Sequence, residues 1–232
     1  MRGGPGPQHF YGMGRLRRVV VPGVAHHVTQ RGNNRRQVFF CDADYLCYLD
    51  ILKRHSTAFG LSILAYCLMP NHVHLIAEPE TAAALSTTLQ RTQAEYALYR
   101  NRRSEATGHL WQARFHSCAL SQMHLWPALR YVERNPSRAG LVGNSVDWPW
   151  SSARAHCGAT DSALLDLRRW AALQTGTDWP EMLESEEAQL VEAIRRGSRT
   201  GRPPGSTEFL EVVEHATGRR LRRLPRTLAL AA

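Results

Sequence analysis

The feature that most constrains the fold of this chain is a pair of apolar strands, 61–68 and 72–78, separated by three residues. The connecting Met69-Pro70-Asn71 is typical of an antiparallel hairpin. The other predicted elements are a strand at 19–30, helices at about 42–59, 82–102 and 121–134, and a short strand ending at Leu120. The order β-α-β-β-α-β, followed by one more helix, is that of a ferredoxin-like α+β domain. We therefore predict a ferredoxin-like antiparallel sheet with helices on one face.

The second strand of the hairpin carries two histidines, His72 and His74, one residue apart. Side chains at i and i+2 in a strand point to the same side, so the two imidazoles project together while Val73 and Leu75 can face a core. Such a pair is either a metal site or an ordinary pair of surface or hydrogen-bonded histidines. A metal site needs a further ligand, and a reaction needs a nucleophile. The chain has no Cys–His spacing of the structural-zinc kind.

The predicted helix at 121–134 offers both of these groups. Tyr131 and Asn135 are four residues apart, which places them about one turn from each other on one face of a helix. A tyrosine phenol can act as a nucleophile, and an asparagine carbonyl can bind a hard cation such as Mg²⁺ or Mn²⁺. By spacing alone, the alternative stays open that Tyr131 packs in the core and Asn135 only ends the helix.

Positive charge is abundant and segregated along the chain. The formal net charge is +9 and the isoelectric point is about 9.9, which favours a polyanionic partner, nucleic acid first. Seven arginines precede Asp42, the first acidic residue, and five more lie between 219 and 226. Because Lys53 is the only lysine, the arginine content could also reflect codon bias. The segregation nevertheless indicates separate basic surfaces.

The cysteines and the apolar runs indicate in which cellular compartment the protein works. The five cysteines form no C-x-x-C pair, and their odd number argues against a disulfide framework, so a reducing cytoplasm fits best. The longest apolar runs are too short to span a bilayer. The first residues, 1–13, are rich in glycine and proline and lack a signal-peptide pattern. We predict that they form a disordered leader and that Met13 is a possible natural start.

Five stretches of the sequence resemble the motifs of one family. They are HHVTQRGNNR (26–35), YCLMPNHVHLI (66–76), GHLWQARFHS (108–117), RYVERNPSRAGLV (130–142) and DWPWSSARAH (147–156). In this order they are similar to the REP-associated tyrosine transposases, the bacterial branch of the HUH single-tyrosine transposases. The resemblance implies an HUH nuclease fold, with His72 and His74 as metal ligands, Tyr131 as the nucleophile and Asn135 as the third ligand. Ser137 stands where the family commonly has valine.

The resemblance also implies a function and a domain organisation. It implies a metal-dependent single-stranded DNA nickase and strand transferase that acts at REP-like hairpins through a 5′-phosphotyrosine, with Mg²⁺ or Mn²⁺ as the cofactor. We expect single-stranded or hairpin DNA as the partner, no membrane, and a bacterial cytoplasmic, nucleoid-associated location. A monomer is favoured, and a homodimer stays open. The predicted divisions are the leader at 1–13, the catalytic domain at 14–157 and a helical, arginine-rich extension at 158–232.

Six residues are predicted to contact DNA. Arg31, Arg35 and Arg36 near the first turn are predicted phosphate contacts, although arginines in a solvated turn are ordinary. A stacking platform for unpaired bases is predicted from the segment that contains Trp111, Arg114 and Phe115. The alternative is that these aromatic rings only seal the edge of the domain.

Two other functions stay open at this stage. One is a replication-initiator or relaxase-type HUH endonuclease, which usually carries a third histidine near the pair or paired tyrosines. Neither is evident in the sequence. The other is a domesticated hairpin-binding regulator with little cleavage, against which the intact set of Tyr131, His72, His74 and Asn135 argues.

Overall fold

A four-stranded antiparallel sheet lies at the centre of the structure, a computed structural model that describes residues 18–222 except 106, 161, 174–175, 177 and 186–187. Its strands are β1 (His26–Arg31), β2 (Leu61–Met69), β3 (His72–Pro79) and β4 (His116–Ala119). They lie in the order β2-β3-β1-β4, and each neighbouring pair is antiparallel. This order confirms the predicted ferredoxin-like α+β class. The predicted leader at 1–13 lies outside the described residues.

β3 lies between β1 and β2, and this central position fixes the direction of the histidine pair. His74 lies opposite Thr29 of β1, and His72 lies at the start of β3 beside the hairpin turn. Val73 and Leu75 point to the other face of the sheet, where both are buried. The alternation predicted for this strand is therefore present.

Two long helices cover the face to which Val73 and Leu75 point. They are α1 (Asp42–Phe59) and α2 (Ala84–Ser104), and this side is called the α1–α2 face below. α1 ends at Gly60, whose φ of 67° lies in the left-handed region that favours glycine. Aromatic rings, among them Tyr48 and Tyr96, fill the space between these helices and the sheet.

A third helix, α3 (Gln122–Glu133), covers the opposite face, so helices lie on both faces and not on one as the sequence predicted. Leu125 and Leu129 of α3 join Leu64 and Ile76 of the sheet in one buried cluster. The reason lies in β2 and β3, which are buried at nearly every position and therefore need cover on both sides.

The segment after residue 157 continues this second core. The remaining helices are α4 (Asn135–Arg138), α5 (Ala153–His156), α6 (Leu167–Leu173), α7 (Trp179–Glu184), α8 (Ala188–Thr200) and α9 (Thr207–Thr217). Trp170, Trp179 and Ile194 belong to the same buried cluster as α3, so this side is called the α3–α8 face. The domain division at 157 stays a prediction, but the two segments share a core. None of the helices in the described part of the chain is both long and apolar enough to cross a membrane.

A buried carboxylate ties the end of α3 to the segments that follow. Glu133 accepts hydrogen bonds from Trp179 Nε1 at 2.7 Å, from His156 Nδ1 at 2.6 Å and from the Ser152 hydroxyl. The His156 ring stacks on Trp170 with 3.6 Å between the ring centroids. Since Glu133 is fully buried, these bonds fix the helix two residues after Tyr131.

Candidate active site

A cavity of about 450 Å³ opens on the α3–α8 face, between the sheet and the helices that cover it. β1 and β3 contribute strand side chains, α3 contributes one residue, and α8 contributes three. These side chains include His27, Arg31, His72, His74, Tyr131, Arg195, Ser198 and Arg199. The cavity therefore brings together segments that are far apart in the sequence, among them the two predicted metal-binding histidines and the predicted nucleophile.

The histidine pair projects into this cavity as neutral imidazoles. The ring centroids of His72 and His74 are 4.9 Å apart. Burial, with a contribution from Arg31, lowers the pKa of His72 to about 4. Burial, together with neighbouring His72 and His27, lowers the pKa of His74 well below its ordinary value. A neutral ring is the form that binds a metal, so neither ligand needs to lose a proton near neutral pH.

The tautomer of His72 is fixed by the residue before it. His72 Nδ1 lies 2.5 Å from Asn71 Oδ1, a carbonyl oxygen that can only accept. Asn71 Nδ2 in turn donates to the backbone oxygen of Arg35 at 3.1 Å, which orients the amide. The single proton of neutral His72 is therefore on Nδ1, and Nε2 keeps its lone pair. Such an outer partner orients a metal ligand.

Tyr131 lies beside the histidines and below two guanidinium groups. Its ring makes edge contacts with the His27 and His74 rings, each with a centroid distance of 5.7 Å. The guanidinium carbon of Arg138 lies 4.4 Å from the Tyr131 ring centroid, and that of Arg195 lies 5.6 Å away. Cations in this position stabilise negative charge on a phosphate that lies next to the ring.

The structure does not bring Asn135 to the wall of the cavity. Its Oδ1 accepts from Arg138 Nη2 at 3.0 Å, and its Nδ2 donates to the backbone oxygens of Tyr131 at 3.0 Å and Val132 at 3.1 Å. These bonds cap the end of α3, which is the alternative that spacing left open. The ligand role of Asn135 stays a prediction.

The donor set fits a hard divalent cation in part. His72 supplies an unprotonated Nε2 and His74 a second neutral imidazole in the same cavity. Among the described residues, no group of three or more His, Cys, Asp and Glu side chains is arranged to hold a metal. Mg²⁺ keeps several waters and binds substrate phosphates, so two protein ligands are compatible with it.

The three arginines predicted to contact phosphates lie in different places in the structure. Arg31 lines the cavity, and burial together with nearby Arg35 lowers its pKa, an effect that Tyr131 opposes. Arg35 ends the exposed 3₁₀ turn Asn33–Arg35 that follows β1. Arg36 lines a separate cleft with Arg100. Only Arg31 of the three therefore lines the cavity of the histidines.

The two aromatic rings of the predicted stacking platform are packed against the protein. Trp111 Nε1 donates to the backbone oxygen of Gln93 at 3.0 Å, and its ring packs within the aromatic cluster of the α1–α2 face. Phe115 is buried, and the Arg18 guanidinium covers its ring at 3.6 Å from the centroid. Arg114 is exposed and lines two clefts at the edge of the sheet. The alternative, that these rings seal the edge of the domain, fits their packing.

A comparison with protein families decides the identity of the fold. Residues 20–135, half of the 232 residues, match the family model of the IS200-like transposases. The matched segment contains His72, His74 and Tyr131. The chain belongs to the IS200-like transposase family. Membership makes it an enzyme of the transposase type with HUH chemistry, and such enzymes are in general metal-dependent.

One solved structure agrees with the fold of this transposase. It is a REP-associated tyrosine transposase bound to a REP hairpin, which is 20% identical with a TM-score of 0.54 over 66% of this chain and 98% of that one. At this identity the similarity concerns the fold, and it agrees with the fold that the sequence predicts. A candidate transposase of Deinococcus radiodurans R1 is 21% identical with a TM-score of 0.33, over 55% of this chain and 92% of that one. No curated protein matches the chain.

Sequence reasoning missed several residues that line the cavity of this transposase. His27 lines the cavity with the histidine pair, and three residues of α8 do the same. A signal was present for each set. His27 and Arg31 share a face of β1 through the alternation of a strand, and Arg195, Ser198 and Arg199 share a face of α8 through spacings of three and four. What the sequence lacked was any sign that these two faces meet.

Proposed function

We propose that this chain is a metal-dependent single-stranded DNA nickase and strand transferase that acts at REP-like hairpins. The observation that carries the proposal is the meeting of Tyr131 with His72 and His74 in one cavity. These residues come from a helix and a strand about sixty positions apart in the sequence. Packing alone does not require a phenol next to two neutral imidazoles. The α1–α2 face of the same sheet is packed with apolar and aromatic side chains.

A divalent cation, Mg²⁺ or Mn²⁺, would be held by His72 and His74. When bound, the ion polarises the scissile phosphate and offsets negative charge in the transition state. Asn135 is the proposed third ligand. For this role its Oδ1 would have to give up the hydrogen bond from Arg138 and bind the ion instead. Phosphate or water oxygens complete the coordination of such an ion.

Tyr131 is the proposed nucleophile. Its phenolic oxygen attacks the phosphorus and loses its proton to solvent, while the bond to the 3′-oxygen breaks and that oxygen takes up a proton. The products are a 5′-phosphotyrosine and a strand with a free 3′-OH. A second 3′-OH reverses the exchange and joins strands. The guanidinium groups of Arg138 and Arg195 lie beside the ring, where they can stabilise negative charge on the attacked phosphate.

Arginines around the cavity are proposed to bind the DNA backbone. Arg31, Arg195 and Arg199 line the cavity itself, and the chain carries a formal net charge of +9. Phosphate contacts of this kind position a nucleic acid and make affinity fall with salt. A related solved transposase is bound to a REP hairpin, which supports hairpin DNA as the substrate class. A monomer in the cytoplasm, at the nucleoid, is the proposed working form.

The test is a search for the covalent intermediate. Wild-type protein is incubated with REP-type hairpins that carry single-stranded flanks, with Mn²⁺ or Mg²⁺, and the products are separated under denaturing conditions. We expect a protein–DNA adduct that needs the metal and is removed by EDTA added beforehand. Binding of the hairpin without an adduct under any of these conditions would favour the regulator that cleaves little.

A further inference from the structure

His27, outside the H-x-H pair, touches the second metal-binding histidine from behind. His27 Nε2 lies 3.0 Å from His74 Nδ1, and the two rings are nearly parallel with an interplanar angle of 4°. On its other side, His27 Nδ1 lies 2.7 Å from the Ser198 hydroxyl of α8. The same hydroxyl lies 2.9 Å from the backbone oxygen of Ile194. All four groups are buried.

The backbone oxygen of Ile194, at the end of this series of hydrogen bonds, determines where the protons lie. A backbone carbonyl can only accept, so the single hydroxyl proton of Ser198 points to the Ile194 oxygen. The Ser198 oxygen then accepts from His27 Nδ1. A neutral His27 has no second proton, so its Nε2 accepts from His74 Nδ1. Neutral His74 is thereby left with an unprotonated Nε2, the atom that a metal needs.

We infer that His27 and Ser198 form a relay that holds His74 in the tautomer with a free Nε2, so that α8 prepares the metal-binding atom. His27 and Ser198 are positioning residues. The inference deepens the proposed function and rests on it for the metal. It assigns a role to α8, which lies outside the segment that matches the family model.

The pair of ligands then has a matched pair of orienting partners. Asn71 fixes His72 from the hairpin turn, and the Ser198–His27 relay fixes His74 from α8. α8 can approach the sheet this closely because Gly197 has no side chain: a Cβ there would lie 2.8 Å from Cys118 Sγ of β4. The orientation of a ligand by its outer partner is worth roughly 10–100-fold in metal affinity.

The geometry separates this role from that of a third metal ligand. A ligand role for His27 would need one of its ring nitrogens to be free. Both are within hydrogen-bond distance of other groups, Nε2 of His74 and Nδ1 of Ser198. The third histidine that relaxase-type enzymes place near the pair is therefore present here in space, but it lies behind His74.

The relay is tested first without metal, in the full chain. Long-range ¹H–¹⁵N spectra report which nitrogen of each histidine carries the proton. We expect protons on Nδ1 of His27, His72 and His74 in the wild type. Ser198→Ala should mix the tautomers of His27 and His74 and leave His72 unchanged, because Asn71 holds it. A proton on Nε2 of His74 in the wild type would overturn the relay.

The second measurement is the affinity for Mn²⁺, by calorimetry in the absence of DNA. Ser198→Ala and His27→Phe should each weaken binding by roughly 10–100-fold. Thr200→Val is the matched control, since the Thr200 hydroxyl also bonds the carbonyl four residues earlier, Arg196 O at 2.8 Å, and is exposed. It should leave both the spectra and the affinity unchanged.

The outcomes distinguish the relay from its alternatives. Unchanged tautomers and affinity in Ser198→Ala would overturn it. Loss of Mn²⁺ binding in His27→Phe with full binding in Ser198→Ala would overturn it in favour of His27 as a direct ligand. Expected tautomers in a wild type that binds no Mn²⁺ would support the relay and refute the metal step of the proposed function.

Discussion

Tyrosines lie on both faces of the same sheet, in different environments. On the α1–α2 face, Tyr96 OH donates to the backbone oxygen of Val38 at 2.7 Å, and Tyr48 OH accepts from Gln93 Nε2 at 2.9 Å. Both side chains are fully buried, and burial raises the pKa of each phenol. On the α3–α8 face, Tyr131 borders a cavity that also contains imidazoles and guanidinium groups.

The difference shows that surroundings, not residue type, set what a phenol can do. A phenol whose pKa is raised by burial and whose proton is bonded to a carbonyl stabilises the fold but does not reach a substrate. A phenol at a cavity, next to cations and neutral imidazoles, can attack a phosphate. The two faces therefore differ: apolar and aromatic side chains fill the α1–α2 face, whereas the α3–α8 face combines a buried core with a cavity lined by polar groups.

The largest expected effect is the loss of nicking when the hydroxyl of Tyr131 is removed. Tyr131→Phe keeps the ring but removes the attacking oxygen, so it should abolish both nicking and the covalent adduct while hairpin binding is kept. Tyr96→Phe should form adduct like the wild type and lose about 1 kcal/mol of unfolding free energy with its hydrogen bond. Denaturing gels and urea unfolding measure the two effects. Adduct from Tyr131→Phe would mean that another tyrosine is the nucleophile.

The next effect distinguishes residues that bind the metal from residues that bind DNA. His72→Ala or His74→Ala should abolish nicking through loss of Mn²⁺ binding, whereas hairpin affinity should fall only modestly because arginines contribute most of it. The control lies on the α1–α2 face, where His55 pairs with Glu95 at 2.9 Å. His55→Gln should leave Mn²⁺ binding and nicking unchanged. Equal Mn²⁺ affinity in His74→Ala and the wild type would remove the pair from the metal site.

A third effect concerns stability and pH. Burial lowers the pKa of His26 to about 4, of His27 to about 3 and of His72 to about 4. In the unfolded chain a histidine titrates near pH 6.5, so the unfolded state binds more protons below that pH. The unfolding free energy should therefore be full above about pH 6.5 and fall as the pH decreases toward about 4. The expected loss is on the order of 1 kcal/mol per pH unit for each histidine.

Urea unfolding across this pH range measures the slope, and His27→Phe should reduce it because one histidine with a lowered pKa is removed. A flat profile would mean that the folded and unfolded chains bind the same number of protons, so that burial does not lower the pKa of these histidines. In that case protons would compete with a metal for the histidines of the α3–α8 face up to about pH 6.5.

Local patterns were enough to predict one half of the site and not the other. The alternation around His72 and His74 and the helical spacing of Tyr131 are visible within a few residues, and resemblance gave them roles. The partnership of His27 with Ser198 joins residues 171 positions apart, so no local pattern reports it.

The packing of aromatic rings was equally beyond local reasoning. Trp111 and Phe115 lie next to Arg114 in the sequence, which is typical of a surface that stacks on bases. In the fold, the Trp111 ring turns to the α1–α2 face and Arg18 covers Phe115. Whether an aromatic ring is exposed depends on helices and loops elsewhere in the chain, so the choice between stacking and packing needed the structure.

The smallest expected effect tests that choice. Trp111→Ala should leave hairpin affinity within about twofold of the wild type, because the ring packs on Tyr48 and Tyr96 and not in the cavity. If the ring stacked on a base, its removal would instead weaken binding by about 1–3 kcal/mol. Arg31→Ala is the comparison on the α3–α8 face, where loss of one phosphate contact should reduce the salt slope of binding by about one. Titrations of a labelled hairpin at several salt concentrations, below the unfolding temperature of each variant, measure both. A large loss in Trp111→Ala with an unchanged slope in Arg31→Ala would reverse the assignment of the two faces in DNA binding.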